Sequence, residues 1–366
     1  MRCLFVLCFL FLAEITSAQN SWLVNVQGGS LMAHRESIRP LITDHLLGAE
    51  LQWSKRLSGK ENWHQLYRLP ALGISFTYAD LGNENAIGKQ FALTPFIELL
   101  IGKDKRALEQ HLQFGLGIGY TDKVWDLQEN LKGLVLSSHF NASIFLQYAL
   151  KGDFSFLGDE ERSRNRSLFW SAGVRLHHFS NASWKMPNLG TNNLLAFAGI
   201  GLKMGEAPVQ KVADKSFSKV KRFVLSYGIG FRENNPPLGV KHAMHTLRLE
   251  ALQRISPKSS IGLSPEILYN RSLEALLRRD GATHEVQDLL QAGIAAHYAL
   301  HFSRMTFNGM VGAYVFNQSD YRGTLYYRVG LRYAITPKLS SHLMLKTHAF
   351  KADHAEVGIA YRLGQF

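Results

Sequence analysis

Cysteine is nearly absent from this chain: of 366 residues only Cys3 and Cys8 are cysteine. Both lie in an apolar stretch from Leu4 to Ala13. It follows Arg2 and leads to the small residues Thr16, Ser17 and Ala18, the pattern of a secretory signal peptide spanning residues 1–18 and cut before Gln19. A chain exported without that segment carries no cysteine, which excludes disulfides and thiolate metal sites. Cys8 is not followed by the small-residue pattern of a lipoprotein, so a lipid anchor is not expected. Long hydrophobic runs are missing too. Leu4 to Ala13 is the longest and falls well short of the roughly 20 apolar residues a membrane-spanning helix needs. Charged residues make up 19% against 46% hydrophobic, which fits neither a disordered chain nor a coiled coil. Acidic residues are outnumbered, 29 to 41, for a net charge of +12. Losing residues 1–18 removes Arg2 and Glu14 together and leaves that balance as it is. The surplus favours anionic partners, and in an exported protein a phosphorylated lipid is a better candidate than nucleic acid.

What the sequence has in abundance is period-two alternation, the spacing that sends successive side chains to opposite faces of a strand. Phe223, Leu225, Tyr227, Ile229 and Phe231 share one face of a segment whose other face is Arg222, Val224, Ser226, Gly228, Gly230 and Arg232. Leu325, Tyr327, Val329, Leu331, Tyr333 and Ile335 likewise oppose Thr324, Tyr326, Arg328, Gly330, Arg332 and Ala334. Soluble strands usually run about five or six residues, whereas these runs are long enough to cross a bilayer when tilted. Sixteen such stretches can be marked between residues 21 and 363. The spacing predicts an all-β, antiparallel, transmembrane outer-membrane β-barrel of about 16 strands, with 14 as the alternative count. Residues 19–366 would form a single barrel domain. Turn-like Ser256-Pro257-Lys258, the junction near Ser303 and Thr336-Pro337-Lys338 alternate with longer connections, as periplasmic turns and extracellular loops do. Segments 57–70, 158–167 and 205–219 are long where short turns are expected. The basic segment Gly205 to Lys221, with Lys211, Lys215, Lys219 and Lys221, can also be read as a linker between two eight-stranded units, a reading ranked below the single barrel. Leu273, Leu276 and Leu277 predict a short helix within 270–285.

One segment, residues 175–193, departs from the pattern. Ala172, Val174, Leu176, His178 and Ser180 share one face, and Arg175 and His177 take the other. His178 and Ser180 are therefore same-face neighbours, and they continue the apolar face, which looks at lipid in a membrane barrel. A histidine beside a serine can remove the hydroxyl proton and create a nucleophile. Asn181, Asn188 and the backbone at Gly190 could donate to an oxyanion. The plainer alternative is that these residues mark the polar rim where a strand leaves the bilayer, because Ser and Asn are common in turns.

The run His178-Phe179-Ser180-Asn181, followed by Pro187-Asn188 and Gly190, resembles the active-site signature of the lipid A 3-O-deacylase family, also described as acyloxyacyl hydrolases. Looser likeness extends over Asn130 to Asn141. The resemblance implies an outer-membrane barrel that removes an ester-linked acyl chain from lipid A of lipopolysaccharide. It further implies Ser180 as nucleophile, His178 as general base and Asn188 as oxyanion donor, with no cofactor and no metal. The family's acid, fourteen residues after the base, is replaced by Asn192. An amide can orient an imidazole but cannot stabilise its positive charge. Asp126, or Asp122 beside it, is an alternative acid. The expected partners are lipid A and outer-membrane lipid, not nucleic acid, with a homodimer left open.

The remaining candidates are weaker. His242 and His245 would face opposite ways on a strand, which makes them poor metal partners. His348 and His354 suit a rim. Gly115, Gly117 and Gly119 lack the spacing of a dinucleotide loop and suit close packing in a barrel wall. The rival reading is a non-enzymatic porin or lipopolysaccharide-binding barrel in which Arg222, Arg232, Arg328 and Arg332 face the lumen and favour anions.

Overall fold

The computed structural model describes residues 19–102, 108–154, 166–283, 285–319, 323–349 and 351–365. The expected signal peptide, residues 1–18, lies outside them. Among the described residues sixteen antiparallel strands form, as the periodicity predicts, and their pairing closes two rings of eight. The first ring comprises β1 (Asn20–Leu31), β2 (Leu46–Arg56), β3 (Ala71–Asp80), β4 (Lys89–Ile101), β5 (Glu109–Thr121), β6 (Phe140–Asp153), β7 (Arg166–Ser180) and β8 (Thr191–Met204). The second comprises β9 (Lys221–Arg232), β10 (His242–Arg254), β11 (Ser259–Asn270), β12 (Leu290–Phe302), β13 (Met305–Asn317), β14 (Leu325–Ala334), β15 (Leu339–His348) and β16 (Lys351–Gln365). A short helix, Ser272–Arg279, stands in the connection where the leucine spacing placed it.

The expectation of one barrel across 19–366 is corrected here. β1 pairs with β8 from Asn20 opposite Met204 to Leu31 opposite Asn193, so the outer edge of β8 is filled. β9 pairs with β16 across a bulge between Arg362 and Gly364. With both edges consumed, no row of backbone donors and acceptors is left to join β8 to β9 in one larger ring. The basic segment after Met204 is then the connection between two closed sheets. Alternation alone could not separate these outcomes, because one ring of sixteen and two rings of eight present the same period.

In the first barrel the alternation runs apolar outward and polar inward. Val24, Leu51, Phe76 and Leu93 are exposed, while Asn25, Glu50, Ser75 and Thr94 are buried. Eight strands leave an interior just wide enough for side chains to fill it, so charges pointing inward must be paired. Glu50 accepts from Asn25 at 2.8 Å and also from Ser75 and Arg175. The Arg175 Nε donates to Gln147 at 2.7 Å, and Lys151 meets Glu98 at 2.6 Å. The same narrowness explains the glycine triplet. Side chains added at Gly115 and Gly119 would collide with the rings of Phe145 and Phe179, which cross the lumen there.

The second barrel is filled in the same way. Arg328 donates to Glu356 at 2.6 Å and to Glu266 at 3.0 Å. Arg248 reaches Glu356 at 2.7 Å, Arg332 reaches Glu250 at 2.8 Å, and Arg232 pairs with Asp353. The arginines expected to line an anion-selective pore, Arg232, Arg328 and Arg332 among them, are instead neutralised by carboxylates inside a packed interior.

Up-and-down topology gathers the β1–β2, β3–β4, β5–β6 and β7–β8 connections at one end of the first barrel. They are pinned there by a shared apolar cluster. Leu31, Ile38, Leu41, Leu46, Ala79, Leu81, Ile87, Val135 and Leu195 are buried together, with Leu189 packed against them. This cluster gives the loops fixed positions that turn residues alone would not supply.

Because each ring closes on its own strands, residues 19–204 expressed with an export signal should assemble as a heat-modifiable barrel, and so should residues 221–366. Migration of each fragment with and without boiling checks this. Within the first barrel, Glu50→Ala should cost about 3–5 kcal/mol by stranding Arg175 without its acid, read as a lowered urea midpoint.

Candidate active site

Strands β7 and β8 form a hairpin in which His178 lies directly opposite Asn192, with Phe179 opposite Thr191 and His177 opposite Asn193. A spacing of fourteen therefore becomes a cross-strand pair on one face of the sheet. The face is the outer one. Val174 and Leu176 precede His178 with 52% and 41% exposure, and Leu194 follows Asn192 with 52%. The opposite face points into the lumen, where Arg175, His177 and Asn193 are buried.

The His177-His178 dipeptide is thus split between two environments. His177 Nε2 sits 2.8 Å from Ser143 Oγ, a histidine–serine pair with the right distance for proton transfer but enclosed in the packed lumen. His178 is the one with access to the apolar exterior. Its Nδ1 lies 2.7 Å from Asn192 Oδ1. An amide oxygen only accepts, so Nδ1 carries the proton and Nε2 keeps its lone pair. That is the tautomer a general base for a neighbouring hydroxyl requires. Ser180, two residues on, projects from the same face at the end of the strand, roughly 7 Å along the backbone.

Ser180 Oγ accepts a hydrogen bond from Asn188 Nδ2 at 2.9 Å, and Asn188 Oδ1 in turn accepts from the Asn181 backbone N–H at 3.2 Å. The Asn188 amide is therefore oriented with its NH2 toward the serine, where a donor for a developing oxyanion belongs. The Asn181 side chain is used differently, donating to Ser138 Oγ at 2.9 Å. The Gly190 N–H donates to the Val135 carbonyl at 2.8 Å. Both tie the β7–β8 loop to the β5–β6 loop and so position the site. The Gly190 N–H is committed and does not point at Ser180. Val135 and Ser138 belong to the upstream segment whose likeness to the family the sequence had indicated. Gly190 matters sterically, since its φ of +75° is in the left-handed region and a Cβ there would stand 3.0 Å from His178 Cε1.

The alternative acid, Asp126, is engaged in its own loop. Its Oδ1 accepts the backbone N–H groups of Gln128 and Glu129 at 2.8 and 3.0 Å, holding a turn in the β5–β6 loop. Asp122 Oδ1 accepts from the Lys89 N–H at 2.6 Å. The residue at the imidazole is Asn192. One neighbour escaped sequence reasoning: His34, in the β1–β2 loop, sits 3.0 Å from Asn192 Nδ2. Nothing in its local sequence marks it, because it arrives through the loop packing and through no strand pattern.

Two changes test this geometry. Gly190→Ala should lower esterase turnover by at least about tenfold, because strain of about 1 kcal/mol or more adds to displacement of the His178 ring. Asn192→Asp should raise turnover by at least about tenfold, since a carboxylate stabilises the imidazolium and an amide does not. Hydrolysis of a short-chain nitrophenyl ester in detergent reads both.

Comparison with known proteins agrees with the family resemblance. Residues 47–201 match the family described as lipid A 3-O-deacylase (PagL), and residues 221–365 match the acyloxyacyl hydrolase C-terminal domain. The two matches thus fall on the first and second barrels. No curated protein matches the chain. Among solved structures, the Acinetobacter baumannii outer membrane protein Omp33 aligns at 9% identity with a TM-score of 0.19, covering 95% of this chain and all of that one. A mutant of Rh. blastica porin aligns at 7% identity and 0.19, again over 95% of this chain and all of the porin. CdiB from Acinetobacter baumannii aligns at 9% and 0.19, over 96% of this chain and 60% of its own. Scores this low carry no weight for fold or function.

Proposed function

Because this chain belongs to the lipid A 3-O-deacylase family, a family of ester hydrolases, we propose that it is inserted in the outer membrane and removes an ester-linked acyl chain from lipid A through Ser180 and His178. The observation that carries this reading is the outward placement of the Asn192–His178 pair beside Ser180, among the exposed apolar side chains Val174, Leu176 and Leu194. An acyl chain lying in the lipid around the barrel would reach the serine without leaving the membrane.

In this mechanism His178 Nε2 takes the Ser180 proton as Oγ attacks the ester carbonyl. The carbonyl π electrons move onto oxygen, and the Asn188 amide turns its N–H from Oγ to that oxyanion. Collapse breaks the bond to the sugar oxygen, which leaves with the proton held by His178. Water, deprotonated by the same imidazole, then hydrolyses the acyl-enzyme to free fatty acid and serine. The loops at this end carry exposed Arg35, Arg39, Lys123 and Lys132, suited to the phosphates of the substrate. A second reading, a lipopolysaccharide-binding barrel without turnover, is favoured by one observation, the amide at the family's acid position.

Mass spectrometry of lipid A from cells producing the wild type and Ser180→Ala separates the two. Loss of one acyl chain in the wild type alone is the expected result and identifies the bond. Unchanged lipid A in both, with the barrels heat-modifiable in the membrane fraction, overturns the esterase reading for that lipid.

A further inference from the structure

The Asn192 amide can face His178 in two ways, and only one produces a base. With Oδ1 toward the ring, Nδ1 is protonated and Nε2 is free; with Nδ2 toward the ring, Nδ1 becomes the acceptor and Nε2 holds the proton, so it cannot receive one from Ser180. A carboxylate has no such ambiguity, because both its oxygens accept. An amide at this position therefore creates a need a carboxylate would not have, a group that fixes which end of the amide meets the imidazole.

We infer that His34 is that group, a positioning residue that sets the orientation of Asn192 and through it the tautomer of His178. His34 Nε2 lies 3.1 Å from the Leu189 carbonyl. A carbonyl oxygen only accepts, so of the two neutral tautomers the one protonated at Nε2 donates to Leu189 and leaves Nδ1 as an acceptor. That Nδ1 stands 3.0 Å from Asn192 Nδ2. The bond occupies the amide NH2 and turns Oδ1 toward His178, where the 2.7 Å contact is found. The Met32 carbonyl is 3.2 Å from the same His34 Nδ1; a neutral ring protonated there would serve Met32 but forgo both the bond to Leu189 and the bond from Asn192, whereas the Nε2 tautomer makes both. The relay thus runs from the Leu189 carbonyl through His34 and Asn192 to His178 in one hydrogen-bond direction. His34 is held for this task from both sides: its loop is anchored by buried Ile38 and Leu41, and Leu189 packs against the same cluster.

The inference rests on the esterase reading, so the test must separate the two. A fluorophosphonate reagent labels an activated serine without any lipid substrate, and its rate on the full chain in detergent micelles reports the nucleophilicity of Ser180. His34→Ala should slow labelling about tenfold, the effect expected for one lost orienting hydrogen bond. His34→Gln should recover to within about threefold of wild type, because its amide can donate to Leu189 and accept from Asn192. In an Asn192→Asp background, His34→Ala should cost no more than about twofold, since a carboxylate presents an acceptor to His178 whatever its neighbour does. Heat-modifiable migration confirms that each variant is assembled. Unaltered labelling in His34→Ala, or a tenfold loss in both backgrounds, overturns the role of His34 while leaving the serine chemistry standing. Absence of labelling at Ser180 in both the wild type and Asn192→Asp overturns the esterase reading and the relay with it.

Discussion

Closure of each sheet on itself is the constraint from which the rest of this structure follows. The ladder between β1 and β8 and the one between β9 and β16 leave neither sheet with an open edge, so every strand has two neighbours and a fixed register. Eight strands set a narrow bore, and the narrow bore dictates what the inward residues must be. Large side chains face glycines, and charges occur in matched sets such as Glu50 with Arg175 or Glu356 with Arg248 and Arg328. A lumen filled this way is a core and not a passage. It moves the chemistry to the outer face and to the loops at the rim.

Fixed register is also what builds the reactive group. His178 and Asn192 meet because the β7–β8 ladder holds them opposite one another, and a slip of one residue would put them on opposite faces of the sheet. The enclosed His177–Ser143 pair places a histidine and a serine in contact with no route to a lipid. Which of two adjacent histidines faces outward is thus decided by the pleat and not by local chemistry.

The imidazole partner in this chain is the amide Asn192, and its surroundings bear on how an amide can serve there. A carboxylate orients an imidazole and offsets its charge; an amide does the first only. It does so unambiguously only when its own NH2 is occupied, here by His34. The loops that deliver His34, Leu189 and the Val135 carbonyl are ordered by apolar packing at the barrel end, so the polar site depends on a hydrophobic cluster.

The alternation, the strand number, the outward face of His178 and Ser180, and the short helix after β11 were all legible in the sequence. Each follows from periodicity within a single segment. The fourteen-residue spacing entered only through the resemblance, and it is the β7–β8 hairpin that turns it into a cross-strand pair. Ring closure could not be read this way, since one barrel or two depends on which distant edges pair, and the period is the same for both. Nor could the fate of Asp126, committed to its own turn, or of the Gly190 N–H, committed to Val135. His34 was invisible for the same reason. It comes from a loop 158 residues before Asn192, and only packing of four connections around one apolar cluster brings it there. Sequence determined which side chains share a face; tertiary structure decided which faces and loops meet, because loop positions are set by packing and not by local pattern.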